Sequence, residues 1–109
     1  MNEEIRSNAY SLLNSADLVY NIKDYTGATI LYFKALFIML DIIILEKEGK
    51  TPKDHSERFR ILQINFPDLY DILDEYYSIY RDTYSSKIDK ETCDKIRENV
   101  KKIIKKYKI

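Results

Sequence analysis

The sequence predicts an all-α domain: an antiparallel four-helix bundle with an extra short helix. Three observations lead there. Apolar residues recur at three- and four-residue steps through most of the chain, the period of helices with one buried face. The 109 residues include two Gly and two Pro, too little turn material for a many-stranded β fold. A candidate cap stands before almost every periodic stretch, and the breaks between stretches are short, which sets neighbouring helices antiparallel.

The first helix is expected over residues 3–21. Ile5, Ala9, Leu12, Leu13, Ala16, Val19 and Tyr20 make its apolar face. Asn2 can cap it, and Glu3 and Glu4 suit the positive end of the helix dipole. The second is expected over 24–48, with Asp24 as cap, Gly27 leaving room for close packing and Gly49 ending it. Ile30 to Leu45 is almost continuously apolar, so a membrane span must be weighed. Lys34, Asp41 and Glu48 are spaced by seven and align as one polar line, and two of them lie inside the run, where charge is costly in lipid. The run is also short of the roughly 20 apolar residues a span needs. The reading is therefore the central helix of a bundle, with an apolar face wide enough to bury a dimer contact as well.

Lys50 to Lys53 form a loop containing Pro52. Asp54 followed by Glu57 resembles a capping box and starts a short third helix carrying Phe59, Leu62 and, at its end, Phe66. This helix is expected to lie across the connection between the second and fourth. Pro67 suits the first position of the fourth helix, which is expected to run to about Ser85. Leu69, Ile72, Leu73, Tyr76, Ile79, Tyr80 and Thr83 form its inner side, with Asp68 and Asp71 in its first turn. Ser85 to Lys87 are a polar break. Asp89 caps a last helix over about 90–107, with Cys93, Ile96, Val100, Ile103, Ile104 and Tyr107 on one face.

Composition bounds the function. Residues 1–109 make one domain, with 45% apolar residues for its core. The single Cys93 excludes an internal disulfide and a Cys-based metal cluster, and its place on an apolar face reads as a buried, inert thiol. The segment MNEEIRSNAY has neither the basic nor the apolar region of a signal peptide, so the expected location is cytoplasmic, away from membranes. Residues 1–89 hold 10 basic and 15 acidic side chains, whereas residues 90–109 hold 8 basic and 3 acidic. That is an acidic body with a basic tail, which excludes a bulk polycation built for duplex DNA. Lys101, Lys102, Lys105, Lys106 and Lys108 could meet RNA or an acidic partner, although a solvated face near a helix C-terminus accounts for them without any ligand.

Catalytic and metal-binding patterns are missing. There is no Gly-rich phosphate loop, no HExxH pair and no Glu-x-x-His pair, and His55 is the sole histidine. No catalytic residue, metal or cofactor is expected. The most unusual segment runs from Tyr76 to Tyr84. At helical spacing Tyr77, Tyr80, Arg81 and Tyr84 fall on one side. Rings beside a guanidinium can stack a nucleotide or RNA base, or anchor a partner protein. The competing expectation is that the tyrosines pack inside the bundle and Arg81 pairs with an acid on a neighbouring helix, such as Asp41. Arg58 and Arg60, two apart, point different ways and make no single phosphate clamp. His55, in a first helical turn, could help hold an anion, although a solvated or locally bonded histidine is the commoner case.

Three stretches carry a family likeness: DYTGATILYFKALFIMLDIIILEKEG at 24–49, through Asp24-Tyr25, Ala28, Tyr32 and Ala35; KTPKDHSERFRIL at 50–62, with His55 shortly after Gly49; and Ile79-Tyr80-Arg81-Asp82-Thr83-Tyr84. In this order and spacing the chain resembles the HEPN family of small helical bundles, closest to its short stand-alone prokaryotic and archaeal members, over residues 5–105. The resemblance implies a bundle of four or five helices, often a homodimer. Some members partner a minimal nucleotidyltransferase in toxin–antitoxin pairs, and many active ones are ribonucleases with Arg-x(4–6)-His at the dimer interface. Here the positions upstream of His55 hold Lys50, Gly49 and Glu48, and those downstream of Arg81 hold Ser86, Lys87 and Ile88. The expectation is therefore a non-catalytic interaction module using Tyr77, Tyr80, Arg81 and Tyr84 on a partner protein, a nucleotide or RNA. The alternative is a metal-independent ribonuclease that manages without the usual motif.

Overall fold

A computed structural model describes residues 3–109; the Asn2 cap lies outside them. Five helices follow one another: α1 (Glu3–Asn21), α2 (Tyr25–Glu48), α3 (His55–Asn65), α4 (Pro67–Asp82) and α5 (Lys90–Tyr107), with no strand among the described residues.

α2 is the axis of the fold. It packs along α1 and α5 and also touches α3 and α4. Its composition is apolar enough for a membrane span, and 67% of its most apolar window is buried inside the protein. The expected polar line is present, with Lys34 and Glu48 exposed and Asp41 half-buried. Tyr32, Phe33, Met39, Leu40 and Ile44 from α2 meet Leu62, Leu73, Ile96 and Val100 in the core, all nearly inaccessible to solvent. Burial of each large apolar side chain contributes about 1.5–3 kcal/mol.

Local chemistry sets the boundaries. α1 ends in a Schellman-type turn: the Asp24 amide bonds the Val19 carbonyl and the Lys23 amide that of Tyr20, with Lys23 at φ 66°. Asp24 then caps α2 by accepting from the Gly27 amide at 2.9 Å. A Cβ on residue 27 would stand 2.5 Å from the Asp24 carboxylate, so glycine leaves the cap its place. Gly49, at φ 79°, closes α2 onto the Leu45 carbonyl. Asp54 caps α3 through the Glu57 amide, and the Glu57 carboxylate reaches back to the Lys53 amide, one residue beyond the usual capping-box target. Phe66 separates α3 from α4, and Pro67 opens α4.

α4 stops at Asp82, short of the expected Ser85. The Thr83 hydroxyl takes the Tyr80 carbonyl at 2.6 Å, and the Tyr84 and Ser85 amides bond back three residues instead of four. The last turn is thereby tightened and the helix is not propagated. Asp89 caps α5 at the Thr92 amide, and the preceding loop is pinned to the start of α2 by the Ile88 amide on the Thr26 hydroxyl at 2.8 Å.

Polar contacts tie α5 to the α1–α2 hairpin. The Tyr32 hydroxyl donates to Asp17 and accepts from Arg97 Nε at 3.1 Å; Asp17 also pairs with Arg97 and Lys101, each at 3.6 Å. Burial and the Asp17 bond push the Tyr32 phenol well above its ordinary value. The Tyr20 hydroxyl donates to Asp94 at 2.5 Å, and Lys90 meets the same carboxylate at 3.0 Å. Cys93 is fully buried, as its face implied, and burial pushes its thiol up.

Candidate functional site

The aromatic segment of α4 faces α2 and the first turns of α3. Tyr77, Tyr80 and Tyr84 form a continuous run of rings, with centroids 5.9 Å apart between the first two and 6.3 Å between the last two. The inner end is anchored on α2. Tyr80 packs edge-on against Phe37 at 5.1 Å and obliquely against Phe33 at 5.3 Å. The outer end is free, since Tyr84 is 83% exposed. Burial and the two neighbouring phenols raise the Tyr80 hydroxyl above its ordinary value, so it stays protonated at neutral pH. The run starts half-buried against the core and ends in solvent.

Arg81 is not brought into this run. It is exposed, and its side chain makes no ion pair, hydrogen bond or ring stack among the described residues. Its suggested partner Asp41 is taken. Arg58 reaches across from α3 and grips Asp41 with two parallel bonds, Nε to Oδ1 at 2.7 Å and Nη2 to Oδ2 at 3.0 Å. This fork suits a guanidinium and a carboxylate. Arg58 lies at the buried face of α3, whereas Arg60 points out to solvent, as their two-residue spacing implied.

His55 completes the corner. Its Nδ1 is 2.5 Å from Arg58 Nη1. The guanidinium has only hydrogens to offer, so Nδ1 accepts and a neutral ring carries its proton on Nε2. Burial first, and the Arg58 charge second, hold the imidazole below its ordinary value. The ring packs edge-on against Phe37 at 4.9 Å and Tyr77 at 5.6 Å, and Phe37 also carries the Arg58 guanidinium 5.2 Å from its centroid.

Beside this corner an open hollow of about 480 Å³ lies between α3 and α4. Its walls are the rings of Phe59, Tyr70 and Tyr77, with His55, Ser56, Arg60 and Gln63 along the α3 side. Phe59 stands edge-on to both tyrosines, at 6.0 and 5.2 Å.

No family model, curated protein or solved structure matches the chain.

Among the described residues no group of His, Cys, Asp and Glu is placed to hold a metal. The sequence put Tyr77, Tyr80, Arg81 and Tyr84 on one side of the helix; the structure brings the three rings together and leaves Arg81 outside their run. The sequence did not reveal Phe37, Arg58 and Asp41, whose contacts join residues 17 or more apart. The only local signal was the three-residue step from His55 to Arg58, which places the two side chains on one face of α3.

Proposed function

We propose that this chain is a non-catalytic, HEPN-like interaction module of the cytoplasm. In this reading α1, α2, α4 and α5 are the four-helix antiparallel bundle, α3 is the extra short helix, and the module works as a homodimer. The tyrosine corner of α4 docks a partner protein; a minimal nucleotidyltransferase of the toxin–antitoxin kind is the partner class the family likeness suggests.

One observation carries the reading. Tyr77, Tyr80 and Tyr84 run from half-buried rings packed against the core, the first of them lining an open hollow, to an exposed ring at Tyr84. Tyrosines anchored at one end and free at the other give large contact area at low entropy cost, which is what protein interfaces use. Two further features support it. The sole histidine has its Nδ1 lone pair engaged by Arg58 and so has no basic nitrogen free for a substrate proton. The α3–α4 segment 54–82 carries seven carboxylates and three arginines, a balance that repels a phosphate backbone.

The test is an RNA cleavage time course in EDTA on the purified protein, run beside photocrosslinking in cells from a benzophenone amino acid at position 84 or at Ser11 on α1. RNA should stay intact, and a discrete protein adduct should form from position 84 alone. Cleavage that is lost in His55→Ala would overturn the reading and favour the ribonuclease alternative.

A further inference from the structure

We propose that a second cavity, where the start of α1 meets the ends of α2 and α5, binds a small amphiphilic anion: a medium-chain carboxylate. The site shares no residue with the tyrosine corner, and the proposal does not depend on the reading given to that corner.

The cavity holds about 270 Å³. That is the liquid volume of roughly nine waters, just under the roughly 300–1,000 Å³ of pockets that take drug-sized ligands. The space suits a small molecule with an apolar body of about eight carbons. Ile42, Phe66, Tyr107 and Ile109 give it apolar walls. Among the buried apolar side chains of α2, Ile42 alone stands outside the continuous core, and it lines this cavity instead. The Tyr10 hydroxyl donates to the Ile109 carbonyl at 2.6 Å, which fixes that wall in place.

The charge around these walls has one sign in excess. Arg6 from α1, Lys47 from the last turn of α2 and Lys108 from the C-cap of α5 line the cavity, against the single carboxylate side chain of Glu46. Among the described residues none of these four takes part in an ion pair. Lys47 and Lys108 suit the negative ends of their helices without any ligand. Arg6 has no such reason to be there. It lies near the start of α1, where the helix dipole disfavours a cation, and it is half-buried. The other half-buried or buried guanidinium groups, Arg58 and Arg97, each have a carboxylate and hydrogen-bond acceptors. Arg6 has neither among the described residues, and apolar walls stand beside it. An anion with an apolar body satisfies both, because its head pairs with the guanidinium while its chain covers the walls. A free phosphate would leave the walls wet, and a neutral lipid would leave the guanidinium unpaired.

The test is a two-dimensional amide NMR titration of the intact chain with octanoate. Octylamine, the same chain with a cationic head, and acetate, the same head without the chain, are the controls. Octanoate should shift the amides around Arg6, Lys47 and Lys108 saturably, with a Kd on the order of a millimolar for a ligand of this size. Octylamine and acetate should not saturate them. Arg6→Gln should weaken octanoate about tenfold, and Glu46→Gln, which removes the opposing charge at an exposed position, should tighten it about threefold. Helix circular dichroism checks each variant; if Arg6→Gln loses the fold, the gain expected from Glu46→Gln still decides. No saturable shift with octanoate, an equal response to octylamine, or shifts centred elsewhere on the protein would overturn the proposal. So would affinity unchanged or weakened in Glu46→Gln.

Discussion

The Arg58–Asp41 pair gives the sharpest test of the structure, because its side chains are 9% and 19% exposed and both forks of the guanidinium are used. Arg58→Met keeps the aliphatic stem and removes the charge. Asp41 then holds a carboxylate in a largely apolar setting, while His55 loses its donor and Phe37 its cation. Breaking a buried pair from one side costs about 3–5 kcal/mol, and the residual solvent contact of Asp41 places this case near about 3. In a domain of this size that lowers Tm by roughly 12 °C or more. Asp41→Leu should cost a similar amount by stranding Arg58. The double variant Arg58→Met/Asp41→Leu has no charge left to strand, so it should return to within about 1 kcal/mol of the parent. Urea unfolding followed by helix circular dichroism measures all four proteins, with an unchanged m-value as the check that the folded and unfolded states are comparable. Single variants that each cost less than about 1 kcal/mol, or costs that simply add in the double, would refute the argument.

Three other outcomes are expected from the same structure. The His55 imidazole is held low by burial and by Arg58, so the unfolded chain takes up a proton before the folded one; stability should fall as pH drops below about 6.5, and His55→Gln should flatten that part of a urea-midpoint profile. Gly49→Ala should destabilise by about 1 kcal/mol through its left-handed φ, since a Cβ there meets no neighbouring atom, and thermal unfolding reads it directly. Cys93 should react with an aromatic disulfide reagent only at the rate the protein opens, with urea restoring fast labelling; immediate reaction in the native state would contradict its burial.

Much of the fold was legible in sequence because its signals are local. Helix starts at Asp54, Pro67 and Asp89, the stop at Gly49 and the polar line Lys34–Asp41–Glu48 depend on residues within a turn or two of one another. The end of α4 was harder, since whether Thr83 continues a helix or bonds its own backbone is decided by a small energy difference. The site was legible in part. Periodicity put Tyr77, Tyr80 and Tyr84 on one side of a helix, but which acid meets which arginine depends on how α3 is set against α2. The sequence suggested Arg81 as the partner of Asp41, and the three-dimensional arrangement gives Asp41 to Arg58 instead. Tyr32 shows the same limit: within an apolar run it reads as a core ring, and its bonds to Asp17 and Arg97 come from two other helices.

The unequal packing around α2 also has a dynamic meaning. α1, α2 and α5 share long contacts and a polar network, whereas α3 and α4 pack chiefly on each other and touch α2 along shorter stretches. Such a pair is a natural cooperative unit that opens before the rest of the protein. Amide hydrogens of α3 and α4 should then exchange with solvent sooner than those of α2. A partner that clasps the two helices together would slow exchange in this unit alone, so occupancy of the α3–α4 face could be followed backbone amide by backbone amide without a label on either protein.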